Sequence, residues 1–324
     1  IRCYIRGSLY REGPRIYLCA LPEQDLAVRA LLTAYEYDDE IIIVDCGMAF
    51  PDEETPGIDI VIPDFTYVLE NKDKIKGLFV THGHEDHIGA IPYLLRNFNL
   101  PIYATRLTMG IIECKLKEEK LLSDAKLNVV TAGKIINTGK FSVEFINVNH
   151  SIPDAVGFAI TCASGTVVQT GDFKIDTTPI DDKVIDIARF AELGKQGVLA
   201  LLSDSTNAER PGFTPSEKLV GGSFSTLFKK AENHRIIVAT FSSNIHRIQQ
   251  IIDEADRCSR KVAISGRSML NVVSVASELG YLNVPQGVLV EIETIKNYPP
   301  EKLVIVTTGS QGEPLSALHR IAFS

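Results

Sequence analysis

The chain has 324 residues, of which 45% are hydrophobic and 23% are charged. These proportions exclude an intrinsically disordered chain, and the length exceeds that of small disulfide-stapled scaffolds. The 33 basic and 41 acidic residues give a formal net charge of −8, which excludes a protein that binds polyanions over its whole surface but leaves room for a local basic groove.

Residues 1–30 show weak periodicity, and the sequence assigns them no element. From residue 31 to residue 209 the pattern changes to short apolar runs that each end near an acidic residue or a histidine. Runs of this length bounded by polar residues are typical of buried β-strands. The predicted strands cover residues 41–44, 78–81, 141–148, 166–170 and 198–203.

Five polar residues follow these strands. They are Asp45, His82, His150, Asp172 and Asp204. A polar residue just past a strand lies at the rim of its sheet, so the pattern predicts one shared rim at which a site is assembled. As single residues, Asp45 and Asp204 are equally compatible with structural caps at strand ends.

The strongest chemical signal is the sequence HGHEDH over residues 82–87. In a tight turn, His82 and His84 can face one way while Asp86 and His87 face the other. One loop can therefore serve two cations about 3.5–4 Å apart, a spacing that suits hydrolysis. The apolar pattern that follows predicts a helix over residues 88–98, in which Pro92 is tolerated because it lies near the start.

His150 and Asp172 complete this metal constellation. Asp172 is expected to bridge two ions, and Asp45 is expected to orient a ligand from behind. Imidazole and carboxylate ligands suit zinc or manganese, and a bound pair of ions lowers the pKa of water to about 7. The expected reaction is hydrolysis of an ester, an amide or a phosphodiester, among which metal chemistry alone does not choose.

The second half of the chain alternates strands with helices. Thr214-Pro215-Ser216-Glu217 predicts a helix start capped by Thr214 and closed by Glu217. Strands are predicted at residues 235–241, 261–264 and 303–307, and helices at 245–255 and 269–279. This alternation predicts a parallel sheet and a second α/β domain over residues 210–324.

Each of these later strands ends in a small polar turn. The turns are Ser242-Ser243-Asn244, Gly266-Arg267-Ser268 and Gly309-Ser310-Gln311. Such turns expose backbone N–H groups beside a helix N-terminus, and Arg267 adds a guanidinium that can bind phosphate through two hydrogen bonds. Any one of them is compatible with ordinary turn chemistry, but together with a dinuclear centre they favour a phosphorylated substrate.

These motifs together resemble a known family. The H-x-H-x-D-H loop with Asp45, His150 and Asp172 resembles the metallo-β-lactamase superfamily. The sequences DCGM at residues 45–48, LSDSTN at 202–207 and TGSQGEP at 308–314 are similar to those of the β-CASP nucleases, and most closely to the ribonuclease J family. The resemblance extends from about residue 32 to the last residue.

The resemblance implies an α/β fold in which an αββα sandwich, residues 31–209, carries an inserted β-CASP domain with a parallel sheet, residues 210–324. It implies a metal-dependent ribonuclease that combines 5′-to-3′ exonuclease and endonuclease action in mRNA decay and rRNA processing. The cofactors would be two divalent ions, most consistent with zinc, with manganese or magnesium as alternatives. The partner would be single-stranded RNA, with a 5′-monophosphate preferred.

The resemblance also assigns roles to residues. It implies that His82, His84 and His150 hold one metal ion and that Asp86 and His87 hold the other, with Asp172 shared. Catalytic roles would fall to Asp86, Asp45 and Asp204, of which Asp204 matches the acidic motif at the start of the β-CASP region. The three polar turns would bind the 5′-monophosphate and the adjacent RNA backbone.

Two departures from the family pattern are apparent. Residues 1–30 do not resemble the glycine-rich first strand and turn of the family. The sequence through residue 324 contains no counterpart of the later histidines, the closing strands of the sandwich or the C-terminal domain, so both domains are expected to be incomplete. A chain of this extent alone is expected to have weak or no catalysis.

Two other functions remain open at this point. One is a thioester or lactam hydrolase that shares only the metal loop. The other is a truncated, catalytically impaired remnant that binds RNA without cutting it.

The six scattered cysteines predict a reducing, cytoplasmic location, and no apolar stretch predicts a membrane span. The resemblance implies a homo-oligomer in the full-length form.

Overall fold

The computed structural model describes residues 4–8, 15–22, 28–49, 57–310, 312 and 316–323, with side chains from residue 31 onward. The β-strands are β1 (Tyr4–Ser8), β2 (Arg15–Pro22), β3 (Val28–Tyr37), β4 (Glu40–Val44), β5 (Ile75–Phe79), β6 (Pro101–Ala104), β7 (Lys126–Val129), β8 (Ile135–Asn137), β9 (Ser142–Asn147), β10 (Val156–Cys162), β11 (Gly165–Gln169), β12 (Ala200–Leu202), β13 (Ile236–Ala239), β14 (Lys261–Ser265), β15 (Leu289–Val290) and β16 (Leu303–Thr307). The α-helices are α1 (Thr66–Glu70), α2 (Glu85–Ile88), α3 (Ile91–Asn97), α4 (Arg106–Glu118), α5 (Ile187–Gln196), α6 (Lys218–Lys230), α7 (Ile245–Arg257), α8 (Arg267–Glu278) and α9 (Ala317–Phe323). Short 3₁₀ helices cover Lys72–Lys74, Ile292–Asn297 and Pro300–Lys302.

The described residues form two compact units. The first contains residues up to 150 together with 154–173 and 185–209, and the second contains 151–153, 174–184 and those from 210 onward. The predicted domain boundaries after residues 30 and 209 stay a prediction, because compactness does not demonstrate that a segment folds alone.

The first unit contains two sheets. Its larger sheet has the described strand order β1-β2-β3-β4-β5-β6-β7, which is antiparallel up to β4 and parallel from β4 to β7. Its smaller sheet has the described order β12-β11-β10-β9-β8, antiparallel except for the parallel pair β11–β12. The strands β1 and β2 lie in the segment to which the sequence assigns no element.

Apolar side chains from the two sheets meet in one core. Ile42 and Phe79 of the larger sheet pack with Phe145, Phe158 and Ile160 of the smaller one, and all five are buried. The rings of Phe79, Phe145 and Phe158 contact one another at centroid distances of 4.9–6.3 Å. Since successive strand residues point to opposite faces, this core accounts for one face of each sheet.

Helices cover the outer faces. On the smaller sheet, Phe190 and Leu193 of α5 pack against Ile146, Ala159 and Val168. The helix α4 lies against β6 and β7 of the larger sheet. The predicted αββα sandwich is therefore confirmed.

The second unit contains a parallel sheet, as predicted. Its described strand order is β13-β16-β14-β15, and every pair is parallel. The helices α7 and α8 follow β13 and β14 and pack on β14. The predicted apolar face of α7 is fully buried, and its residues are Ile245, Ile248, Ile251, Ile252 and Ala255.

Two predicted elements of the first unit are displaced. The strand predicted at residues 78–81 is β5, which ends at Phe79 because the amide of Thr81 donates to the Asp45 carboxylate (2.8 Å) instead of to a neighbouring strand. The helix predicted over residues 88–98 is divided into α2 and α3. Pro92 is the second residue of α3, where its missing N–H costs no hydrogen bond.

The predicted start of α6 is wrong. The helix begins at Lys218 and not directly after Thr214. The amide of Glu217 donates to Asp176 Oδ2 (3.3 Å), and the Glu217 carboxylate accepts from Arg247 (2.9 Å), so it does not close a capping box. These contacts come from distant parts of the chain, and a local sequence pattern does not contain them.

The loop after β4 lies directly against the turn that contains α2. The amide of Cys46 donates to the carbonyl of His87 (2.8 Å), and the amide of Ala90 donates to the carbonyl of Cys46 (2.9 Å). Gly47 permits this approach, because a Cβ at that position would lie 1.6 Å from the carbonyl oxygen of Asp86. The two loops that follow β4 and β5 are thus held together by backbone contacts.

Truncation of the inter-sheet core is expected to destabilise the protein. Ile160→Ala, at a side chain 2% exposed, should lower the free energy of unfolding by about 2–5 kcal/mol. Ile135→Ala on the same sheet, at a side chain 52% exposed, is the matched control and should change it by less than about 0.5 kcal/mol. Urea titration followed by circular dichroism measures both, and equal effects would contradict the described core.

Gly47→Ala is expected to destabilise the protein by about 1–3 kcal/mol or more, since backbone has to move to admit the methyl group. Gly194→Ala is the control, because its Cβ would meet no atom within 4 Å. That helical substitution should stabilise by up to about 1 kcal/mol. Thermal unfolding of the two variants compares them, and a stable Gly47→Ala protein would contradict the loop arrangement.

Candidate metal centre

Strand ends bring the predicted ligands together at one rim of the first unit. Asp45 follows β4, His82 follows β5, His150 follows β9 and Asp172 follows β11. His82, His150 and Asp172 contribute to a cluster of candidate ligand atoms, whereas Asp45 lies behind it. Asp204, the fifth predicted rim residue, lies outside the cluster.

The first ligand group contains three imidazoles and one carboxylate. The residues are His82, His84, His150 and Asp172, whose ligand atoms all lie within 4.8 Å of one another. His84 Nδ1 lies 3.0 Å from His82 Nε2 and 3.1 Å from His150 Nε2. Asp172 Oδ2 lies 4.0 Å from His82 Nε2 and 3.8 Å from His150 Nε2.

The second ligand group contains Asp86, His87 and, again, Asp172. His87 Nε2 lies 3.7 Å from Asp86 Oδ2 and 3.5 Å from Asp172 Oδ1. Asp172 therefore directs Oδ2 toward the first group and Oδ1 toward the second. One carboxylate is positioned between two sets of ligand atoms.

Burial keeps the imidazoles of the first group neutral. It lowers the pKa of His82 well below the ordinary value, with a further contribution from His87, and it lowers the pKa of His150 as well. Burial, followed by the charge of His150, lowers the pKa of His84 to about 3. The neutral form of an imidazole has a free lone pair, and this is the form that binds metal ions.

The second group is dominated by carboxylates. Burial disfavours the imidazolium of His87, but the carboxylates of Asp45 and Asp172 overcome it and hold the pKa of His87 well above the ordinary value. Burial likewise favours a neutral Asp172, but the hydrogen bond and charge of His87 hold the pKa of this carboxyl well below its usual range. The negative charge around His87 favours a cation, and a metal ion bound there would take the place of the proton on His87 Nε2.

The donor set fits a divalent metal ion. His84 Nδ1 faces two Nε2 atoms at 3.0 and 3.1 Å, and its single in-plane proton or lone pair cannot serve both contacts. A single cation between the three nitrogen atoms can accept a lone pair from each of them. Since zinc–nitrogen bonds are about 2.0–2.1 Å long, tetrahedral ligands lie about 3.3 Å apart, close to these separations.

Asp45 supports the cluster from behind. It has φ = 58°, a region that residues other than glycine seldom adopt, and its carboxylate is buried. Asp45 Oδ2 lies 2.8 Å from His87 Nδ1, and Oδ1 accepts from the amide of Thr81. This position agrees with a residue that orients a ligand.

Asp204 contacts the backbone of the loop that contains Asp172. Its carboxylate accepts from the amides of Phe173 (3.4 Å) and Thr206 (2.8 Å), and its own amide donates to Thr170 Oγ1 (3.0 Å). The charge of Asp204 also acts on His150. Its described contacts are those of a residue that fixes the Asp172 loop.

Sequence reasoning missed three supporting contacts. Both carboxylate oxygens of Glu85, within the HGHEDH sequence, accept from Lys115 Nζ on α4 (2.9 and 2.7 Å). The hydroxyl of Tyr35 on β3 donates to Gln169 Oε1 at the end of β11 (2.6 Å), which links the two sheets near Asp172. The third is the contact of the Thr81 hydroxyl with the Asp45 carboxylate, for which a threonine before a histidine gives no distinctive sequence signal.

The turns of the second unit have mixed roles. Asn244 Oδ1 accepts from the amide of Arg247 (3.2 Å), so this side chain caps α7. Ser243 lies between Asn244 and Ser242, and Ser268 Oγ donates to Ser242 Oγ (3.2 Å). The second turn therefore contacts the first.

The N-terminus of α8 has no side-chain cap. Its preceding residue is Gly266, with φ = 120°, and its first residue is the exposed Arg267. Among the described residues, Arg267 forms no ion pair. Gly309 and Ser310 follow β16, and Gln311 lies outside the described residues.

No helix in the described ranges combines the length and apolar character needed to cross a bilayer.

The sequence matches two described families. Residues 30–205 match the family described as Metallo-beta-lactamase superfamily, and residues 233–324 match the family described as Ribonuclease J, beta-CASP domain. A crystal structure of a protein of unknown function from Enterococcus faecalis V583 has a TM-score of 0.60 and 16% identity over 87% of this chain and 74% of that chain. That likeness supports the fold alone.

Named relatives are more similar in sequence. Ribonuclease J of Synechocystis sp. is 49% identical over 290 residues, which are 89% of this chain and 45% of the relative. Ribonuclease J of Helicobacter pylori (strain 26695) is 46% identical over 87% of this chain and 41% of the relative. Ribonuclease J2 of Bacillus subtilis is 43% identical over 90% of this chain and 52% of the relative. The chain spans about half the length of these relatives, and it belongs to the ribonuclease J family within the metallo-β-lactamase superfamily.

Proposed function

We propose that this protein is a metal-dependent ribonuclease that hydrolyses RNA phosphodiesters. The observation that supports this most directly is the position of Asp172, which directs one oxygen to each of two ligand groups. A carboxylate shared in this way is typical of centres that hold two ions for the in-line displacement of a phosphoryl group. The ribonuclease names of the relatives supply the substrate class.

The proposed cofactors are two divalent ions, with zinc favoured by the nitrogen-rich first group and manganese or magnesium as alternatives. His82, His84 and His150 would hold one ion, Asp86 and His87 would hold the other, and Asp172 would be shared. When bound, the ions would lower the pKa of a water molecule and offset negative charge on the phosphoryl oxygens.

The chain's own groups would prepare this chemistry. Burial supplies three neutral imidazoles without a conformational change, and Asp45 and Asp204 hold the loops of His87 and Asp172 in place. Asp86, Asp45 and Asp204 are the proposed catalytic carboxylates, of which Asp86 belongs to the second ligand group. Preorganised groups of this kind need little rearrangement during the reaction.

The proposed substrate is single-stranded RNA with a 5′-monophosphate, cleaved by 5′-to-3′ exonuclease and endonuclease action in mRNA decay and rRNA processing. The uncapped N-terminus of α8 and the exposed Arg267 support phosphate binding. Ser242, Ser243, Asn244, Gly266, Arg267, Ser268, Gly309, Ser310 and Gln311 are the proposed substrate-binding residues.

We further infer a cytoplasmic protein, because Cys162 and Cys258 are thiols that form no disulfide. A homo-oligomer of the full-length form is proposed from the resemblance alone.

A second candidate is an RNA-binding protein with impaired catalysis. It is favoured by the second ligand group, which contains only three ligand residues in the described part of the chain. Elemental analysis separates the two candidates, because well under one ion per chain with RNA binding retained supports the second.

Loss of a central imidazole is expected to abolish activity. His84→Ala removes the nitrogen that faces both His82 and His150, and it should lower cleavage of 5′-monophosphorylated RNA by more than about 100-fold together with the metal content. His234→Ala, at an exposed histidine of the second unit, is the control and should retain both. Full activity of purified His84→Ala would contradict the proposed centre.

The 5′ end of the RNA is expected to affect the rate. Purified protein should degrade 5′-monophosphorylated RNA faster than 5′-triphosphorylated RNA, and Arg267→Ala should reduce this preference by about 10-fold through loss of a charged hydrogen bond. Arg106→Ala, an exposed arginine that also begins a helix, is the matched control. Equal wild-type rates on both RNAs would contradict the proposed preference.

A further inference from the structure

The hydroxyl of Thr81 lies at the centre of a buried polar cluster behind the candidate ligands. Thr81 is fully buried, and its Oγ1 lies 2.9 Å from Asp45 Oδ2 and 3.1 Å from Asp45 Oδ1. The same oxygen lies 3.0 Å from His82 Nδ1 and 3.3 Å from His87 Nδ1. The Thr81 hydroxyl therefore contacts the carboxylate of Asp45, the imidazole of His82 from the first ligand group and the imidazole of His87 from the second.

The number of protons available determines the direction of the hydrogen bonds at the Thr81 hydroxyl. A hydroxyl has one proton and two acceptor sites, and an ionised carboxylate only accepts. The Thr81 proton is therefore directed to Asp45, which leaves Thr81 Oγ1 to accept from His82. His82 must then have its proton on Nδ1 and its lone pair on Nε2.

His87 follows the same rule by a direct contact. Its Nδ1 lies 2.8 Å from Asp45 Oδ2, so Nδ1 donates and Nε2 faces the ligand group, 3.5 Å from Asp172 Oδ1. His82 Nε2 is likewise the atom that faces His84 Nδ1 at 3.0 Å. One carboxylate thus orients an imidazole in each group, directly in one case and through Thr81 in the other.

We propose that Thr81 is a positioning residue of the metal centre, whose hydroxyl transmits the orienting effect of Asp45 to His82 and so links the two ligand groups. This inference rests on the proposed metal centre. Thr81 is not among the candidate ligand residues of either group. Its effect is to hold one tautomer and one ring orientation, a role in which partners of metal-bound histidines affect metal affinity by about 10–100-fold.

The test compares two substitutions at this position. Thr81→Val has nearly the same shape but no hydroxyl, and Thr81→Ser keeps the hydroxyl. The zinc affinity of each metal-free protein is measured by competition with a chromophoric chelator. We expect Thr81→Val to bind zinc about 10–100-fold more weakly and Thr81→Ser to bind within about 3-fold of wild type. Equal affinity of Thr81→Val and wild type would overturn the proposal.

A second measurement needs no variant. Nuclear magnetic resonance of ¹⁵N-histidine-labelled, metal-free wild type reports which ring nitrogen of His82 has the proton. A proton on Nδ1 supports the role of Thr81, and a proton on Nε2 overturns it even if Thr81→Val does not fold. Failure of the wild type to bind zinc would instead count against the proposed function, so the two failures are distinguishable.

Discussion

The arrangement of this protein depends on the sharing of one carboxylate by two groups of ligand atoms. Asp172 directs one oxygen toward the imidazoles of His82, His84 and His150 and the other toward His87 and Asp86. Buried polar groups at such close range are costly without partners that satisfy them. A pair of cations would satisfy all of them at once, and this is the reason for proposing a dinuclear centre.

The fold positions these groups through contacts between strand ends. Backbone hydrogen bonds and the close approach at Gly47 join the loops after β4 and β5. The bond between Tyr35 and Gln169 links the two sheets, and Asp204 binds the backbone next to Asp172. Residues that are far apart in sequence are thus held at one rim by contacts between their loops.

Local periodicity and residue type predicted several strands of both sheets and the candidate ligands, whereas the αββα sandwich was implied by the resemblance to a known family. Sequence reasoning placed the start of α6 wrongly, since Asp176 and Arg247 contact Glu217 from elsewhere in the chain. Thr81 also escaped notice, because a threonine beside a histidine has no distinctive spacing. Its role is apparent only when Asp45 is brought against it.

The most direct test is a crystal structure of the zinc-loaded protein with data collected at the zinc absorption edge. The account predicts two anomalous peaks, one among the imidazoles of His82, His84 and His150 and one beside His87, with the carboxylate of Asp172 between them. A map without peaks at these positions, or one in which Asp172 contacts no more than one ion, would contradict it.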